Sequence, residues 1–182
     1  MSGRIIILTG ERDIGKSTVC QKTVDLAQAE GYTCAGIITP RREGGKRDVV
    51  DVRTGDIRPL TLPQDIERAV VQGRFRFDPE TLAWGNRLLG QATPCDLLMI
   101  DEIGPLELIR GRGWTNALHV LQGEAFTLAL VVVRDELLVD AQFRLPQSAT
   151  TVMRVTARNR DTLPADLLHI LEAEAAKDGS TS

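Results

Sequence analysis

Cysteine is scarce in this 182-residue chain: Cys20, Cys34 and Cys95 are odd in number and far apart. They match neither a disulfide framework nor the paired spacing of a zinc site, which points to a reducing, cytoplasmic setting. Histidine is scarcer still. His119 and His169 are the only two, and each lies inside a helix-like stretch and reads as an ordinary helix residue. Positive charge is not in excess either. With 22 Lys and Arg against 25 Asp and Glu, the net charge is -3, so no bulk field draws nucleic acid to the surface. Long apolar runs are missing. Ile5-Ile6-Ile7-Leu8 and Leu128–Val133 fall far short of the ~18–20 residues of a membrane helix. No secretory core or small-residue cleavage site follows the early Arg4, so neither membrane insertion nor secretion is expected.

What the chain does hold is a globular balance, 42% apolar and 26% charged. Its length suits one domain that buries roughly 70% of its unfolded surface. Strand-like runs alternate with helix-like stretches. Arg4–Thr9 suits a buried parallel strand. Val19, Cys20, Thr23, Val24 and Ala27 share one helical face, with Gly31 where a C-terminal cap belongs. Cys34–Thr39, Asp96–Ile100, Ala125–Val133 and Thr150–Thr156 read as further strands, with a helix starting at Asp78-Pro79 and a closing helix from about Pro164. Asp48–Val52 and Ile57–Leu62, joined by Thr54-Gly55-Asp56, predict a β-hairpin inserted at about residues 46–62. The alternation predicts an α/β fold: a mainly parallel sheet with helices on both faces, forming one domain over residues 1–176. Residues 177–182 read as a disordered tail.

The most informative segment is Gly10-Glu11-Arg12-Asp13-Ile14-Gly15-Lys16-Ser17-Thr18. It fits G-x-x-x-x-G-K-[ST], between a predicted strand and a predicted helix. Such a phosphate-binding loop wraps successive backbone N–H groups around a polyphosphate, and its glycines permit close approach and positive φ. The following helix aims its positive dipole end at the anion. Lys16 then carries charge to the β/γ oxygens, and the Ser17 hydroxyl is a Mg²⁺ ligand. Glu11 and Asp13 are awkward in a loop that holds an anion. They are expected to face outward, with Arg12 as partial counter-charge and Asp13 in left-handed backbone space.

Leu97-Leu98-Met99-Ile100-Asp101-Glu102 is an apolar strand ending in two carboxylates. Ligands gather at the carboxyl ends of parallel strands, which sets Asp101 to hold Mg²⁺ and Glu102 to position or deprotonate an attacking water. Adjacent strand residues point to opposite faces, so a turn must redirect Glu102 for both acids to serve one site.

Asp101-Glu102-Ile103-Gly104-Pro105-Leu106-Glu107-Leu108 resembles the D-E-I-G-x-x-E-L signature of the thermophile and cancer-related nucleoside-triphosphatase family. Gly36–Pro40, Arg42–Arg47, the turn at Thr54-Gly55, and Val155–Asp161 followed by Leu163-Pro164 also look similar to that family, in the expected order along nearly the whole chain. The resemblance implies a P-loop NTPase fold. It also implies slow, Mg²⁺-dependent hydrolysis of ATP, GTP and other nucleoside triphosphates, with little discrimination between bases. The departure is the acidic Glu11-Arg12-Asp13, where the family usually has neutral, glycine-rich residues.

Elsewhere, Asn159 offers a donor and an acceptor to a base edge, and the Arg160 guanidinium can stack on a ring. The pair also suits a helix cap and a surface arginine. Asn159-Arg160-Asp161-Thr162 is not the N-K-x-D guanine reader, since the acid comes one position too early, so a dedicated GTPase is not expected. Arg41, Arg42, Lys46 and Arg47 around Gly44-Gly45 read as a solvated loop, a mobile flap over the nucleotide or a docking patch. Arg110, Arg112, Arg134 and Arg144 compete for the part of an arginine finger. Trp84 and Trp114 read as core or patch residues. Two alternatives stand beside hydrolysis. In a nucleoside or nucleotide kinase the arginine-rich loops would form an acceptor pocket. In a nucleotide-regulated binding module the hairpin would change with nucleotide state. No protein partner is legible.

Overall fold

The computed structural model describes residues 3–63, 66, 69–72, 75–123 and 125–179. In chain order the elements are β1 (Arg4–Thr9), α1 (Lys16–Ala29), β2 (Cys34–Ile38), β3 (Asp48–Asp51), β4 (Ile57–Pro59), β5 (Val70–Gln72), β6 (Phe75–Phe77), α2 (Pro79–Gly90), β7 (Cys95–Ile103), α3 (Pro105–Leu108), α4 (Thr115–Gln122), β8 (Phe126–Val133), α5 (Leu138–Arg144), β9 (Thr150–Arg154) and α6 (Leu163–Gly179). Among the described residues, seven strands form one sheet in the order β4-β3-β2-β7-β8-β1-β9, and β5 pairs with β6 in a separate hairpin. From β2 to β9 every pairing is parallel. The predicted hairpin is present as β3 and β4, which pair antiparallel and extend the sheet at one edge.

The central strands are apolar on both faces because both are covered. Ile5 and Ile7 of β1 and Ala129, Val131 and Val133 of β8 pack with Leu89 of α2 and Ala117 and Leu121 of α4. Ile6, Leu8, Leu128, Leu130 and Val132 face the other way, onto Val19, Val24 and Ala27 of α1 and Leu167 and Leu171 of α6. Alternation with period two therefore splits one continuous apolar run between two cores, each fully buried isoleucine or leucine contributing about 1.5–3 kcal/mol. Caps set the helix limits. The Asp78 carboxylate accepts from the Thr81 N–H at 3.2 Å, and Gly31, at φ 85°, follows the end of α1.

Several boundaries differ from the sequence expectation, and β4, expected to run to Leu62, ends at Pro59. β7 runs on to Ile103 through a break in its register with β8 between Ile100 and Ile103. β9 stops at Arg154, because the Asn159 side chain captures Thr156 into a turn. The expected tail is helical through Gly179: Glu174 accepts from Lys177 one turn on and from Arg4 of β1 at 3.1 Å, pinning the last turns to the sheet. Residues 180–182 lie outside the described residues. Among those described, no helix is long and apolar enough to cross a membrane.

Candidate active site

The carboxyl ends of β1, β2, β7 and β8 converge on one cavity of about 580 Å³, lined by the phosphate loop, Thr39, Asp101, Glu102 and Arg134. The loop's shape follows from its glycines. Gly10 sits at φ 137°, where a Cβ would lie 2.5 Å from the Val155 carbonyl oxygen, and Gly15 at φ 109° turns the chain into α1. Lys16 donates from Nζ to the carbonyls of Gly10 at 2.8 Å and Glu11 at 2.7 Å. Burial pushes its amine below the ordinary lysine value, while Glu102, Asp135 and Asp101 pull it back up. Ile14 packs against the core beneath α1, and Thr18 joins the cavity lining. Asp13 takes the left-handed conformation, φ 62°. Its counter-charge is Arg41, at 2.5 Å, rather than the adjacent Arg12. Glu11, Arg12 and Asp13 are all exposed, and all three line the rim of the cavity.

The two acids at the end of β7 occupy contrasting surroundings. Asp101 is only 1% exposed. Its carboxylate accepts from the Thr39 N–H at 3.1 Å and from the Ser17 hydroxyl, while the Thr39 hydroxyl donates to the Asp101 carbonyl at 2.9 Å. Burial pushes the Asp101 carboxyl above the usual aspartate value, against the pull of the Ser17 and Thr39 donors. Glu102 sits at φ 80°, inside the register break. This is the redirection that an ordinary strand could not supply, at a cost of about 1–3 kcal/mol for a non-glycine residue in sparsely populated backbone space. It brings both side chains to one cavity. There Arg47 pairs with the Glu102 carboxylate at 2.9 Å and the Arg134 Nε donates to its other oxygen. Burial alone would raise the Glu102 carboxyl, but Arg47 and Arg134 together outweigh it and hold it below the usual glutamate value. The group therefore stays ionised, an acceptor fixed at two points.

The remaining candidates divide. Asn159 is committed to its own turn: Oδ1 accepts from the Thr156 N–H at 2.8 Å, and Nδ2 donates to the Arg154 carbonyl at 2.9 Å. Both groups a base edge would need are in use, so the cap reading describes it. Arg160 lies beside the loop, reaching the Ile14 carbonyl at 3.5 Å. Of the four competing arginines, Arg134 enters the phosphate cavity; Arg110 lines a neighbouring one, and Arg112 and Arg144 line neither. The sequence places Arg47 in a solvated loop, flap or docking patch, whereas its side chain is only 12% exposed, beside Glu102. Thr39 was not singled out. Its place at the end of a parallel strand was the available signal. No signal marked Arg47 apart from its basic neighbours. Trp84 and Trp114 are buried, as expected.

A profile of the NTPase family matches residues 5–168. A protein named nucleoside-triphosphatase THEP1 from Methanopyrus kandleri is 34% identical over 177 residues, 92% of this chain and 95% of its own. One of the same name from Methanosarcina acetivorans is 32% identical, covering 87% and 91% of the two chains. The solution structure of a human cancer-related nucleoside triphosphatase superposes with a TM-score of 0.72 at 23% identity, over 94% of this chain and 98% of that one. The crystal structure of THEP1 from Aquifex aeolicus gives 0.65 at 20% identity, over 92% and 99%. At those identities the two structures speak for the fold.

Proposed function

This chain belongs to the NTPase family, and on that premise we propose that it is a Mg²⁺-dependent nucleoside-triphosphate phosphohydrolase of broad base specificity, acting in the cytoplasm. The observation that carries the reading is the meeting of Lys16, Ser17, Asp101 and Glu102 on one cavity. Family relatives that bear the name nucleoside-triphosphatase support it.

The Ser17 hydroxyl and the Asp101 carboxylate form a contact of two hard oxygen donors, the ligand type that Mg²⁺ prefers. These residues fit the metal, which when bound supplies charge neutralisation on the β/γ oxygens. The loop amides from Asp13 to Thr18 cradle the phosphates. Lys16 exchanges its two carbonyl partners for phosphate oxygens. Glu102, kept ionised, accepts a hydrogen bond from the attacking water and holds it facing the γ-phosphorus. Both of its arginines, Arg47 and Arg134, line the phosphate cavity, so a modest turn of either side chain would bring charge to the transferring group. Base discrimination has little to rest on: Asn159 is occupied, and Arg160 offers only a guanidinium plane that stacks on any ring. The three cysteines are free and buried, which suits a reducing compartment.

The test is a phosphate-release panel over ATP, GTP, CTP, UTP and their deoxy forms, with and without Mg²⁺. Release from every triphosphate, dependent on the metal, is the expected result. Activity confined to one base, or unaltered by chelation, would overturn the breadth or the metal requirement respectively.

A further inference from the structure

On the other side of Glu102 from the phosphate loop lies a second cavity of about 530 Å³. That is within the range of sites for small organic ligands. One part of its wall is apolar, made by Leu60, Phe75, Phe77, Leu82, Leu106 and Trp114, and the buried Glu107, whose carboxylate is held by the Gly104 and Trp114 N–H groups, also lines it. Phe75 and Phe77 stack with ring centroids 5.9 Å apart and planes 7° from parallel. The exposed guanidinium of Arg110 stands at its edge. Arg12, Thr39, Arg47, Glu102 and Arg134 line both cavities, so the two chambers share a wall whose centre is the carboxylate that faces the γ-phosphate.

Hydrolysis needs one water molecule at Glu102. It gives no reason for an apolar, ring-lined chamber opening on the same carboxylate. Nor does water need two guanidiniums on that acid, which leave the dividing wall with net positive charge. An anionic acceptor does need that charge, since an unpaired glutamate would repel it.

We propose that this chamber binds a second substrate, a molecule joining a planar ring to a phosphate group as a nucleoside monophosphate does, and that its phosphate accepts the γ-phosphoryl group. The inference rests on the nucleotide site proposed above. The ring lies among Phe75, Phe77 and Leu82, and the phosphate meets Arg110 and the shared wall. A deprotonated acceptor oxygen forms the bond to the γ-phosphorus. The bond from that phosphorus to the β–γ bridging oxygen breaks, and its electron pair leaves with the nucleoside diphosphate. The acceptor becomes a diphosphate, and no proton is gained or lost when its phosphate is already a dianion, as it is above pH of about 6.

The experiment incubates the full chain with γ-labelled ATP, Mg²⁺ and, in separate reactions, AMP, GMP, CMP, UMP or dTMP, and separates products by chromatography. The expected result is a labelled diphosphate of at least one acceptor beside labelled phosphate. Arg110→Ala, at an exposed position, should lower the ratio of diphosphate to phosphate by about tenfold, the loss of one charge-assisted contact. Leu82→Trp, which fills the chamber, should lower that ratio as well, with thermal melting to confirm the fold. Label in phosphate alone with every monophosphate overturns this inference and leaves hydrolysis standing. Label in neither product overturns both readings. Diphosphate that persists in Lys16→Ala protein prepared identically would belong to a contaminant and would also overturn it.

Discussion

The phosphate loop and the end of β7 face each other across one cavity, and each contains a non-glycine residue in left-handed backbone, Asp13 and Glu102. Their partners differ in origin. Lys16 bonds to carbonyls five and six residues away. Asp101 and Glu102 bond to groups 62 and 32 residues away, just past the ends of β2 and β8. The loop's shape is a local property of its glycines and the helix that follows. The acids acquire their charge states only when β2, β7 and β8 lie side by side. A change in the loop should therefore act on binding, and a change at the end of β7 on the chemical step.

Glu102→Gln tests that division most strongly. It should lower the rate of phosphate release about a thousandfold, the middle of the range for a positioned acid–base group, while nucleotide still binds by calorimetry. Undiminished turnover would remove Glu102 from the reaction. Lys16→Ala should cost about a hundredfold in rate and weaken binding too, so a variant that binds normally would erase the contrast. Arg47→Ala leaves Glu102 with Arg134 alone. The acid's ionisation should then move up in pH, so that the acidic limb of the rate profile shifts to higher pH. A profile identical to the wild type would mean that Arg134 suffices.

Asp13→Gly sharpens the loop side. Removing a charge near the phosphates should tighten nucleotide affinity by about threefold. No tightening would mean that Arg41 already neutralises Asp13. The smallest effect is expected far from the site, at Glu174. Lys177 holds its carboxyl below the usual range, with burial opposing and Arg4 assisting. A depressed carboxyl contributes stability above its unfolded value and loses it as pH falls through the lower folded value. Glu174→Gln should thus lower the melting temperature by about 2 °C near pH 7, as befits a partly exposed ion pair, with the difference vanishing in acid. A constant difference across that range would point to packing instead.

Much of this was legible in the chain itself. β1 was read to the residue, because Ile5 to Leu8 is an apolar run with no alternative use. Asp78 and Gly31 announced helix limits through chemistry that acts within a few residues. The hairpin followed from the turn residues at 54–56. The short elements were not read. β5, β6, α3 and α5 span three to seven residues each, too few for a period to declare itself. With them went the second cavity, whose walls include Phe75, Phe77 and Leu106. Arg47 carried no mark to separate it from Arg41 or Arg42, since what distinguishes it is burial beside Glu102. Asn159 could be read as a base reader or a cap, and only its hydrogen bonds chose.

The linear order of residues determined the phosphate loop, the apolar strands that flank it and the acids that end β7, because glycine conformation, helix capping and alternation all act over a few residues. The tertiary structure alone decided which arginines clamp Glu102, how Glu102 turns into the cavity, and that a second chamber opens behind it. Those outcomes depend on strands far apart in the chain being brought within hydrogen-bond distance, where burial and neighbouring charge, not residue type, set the behaviour of each group.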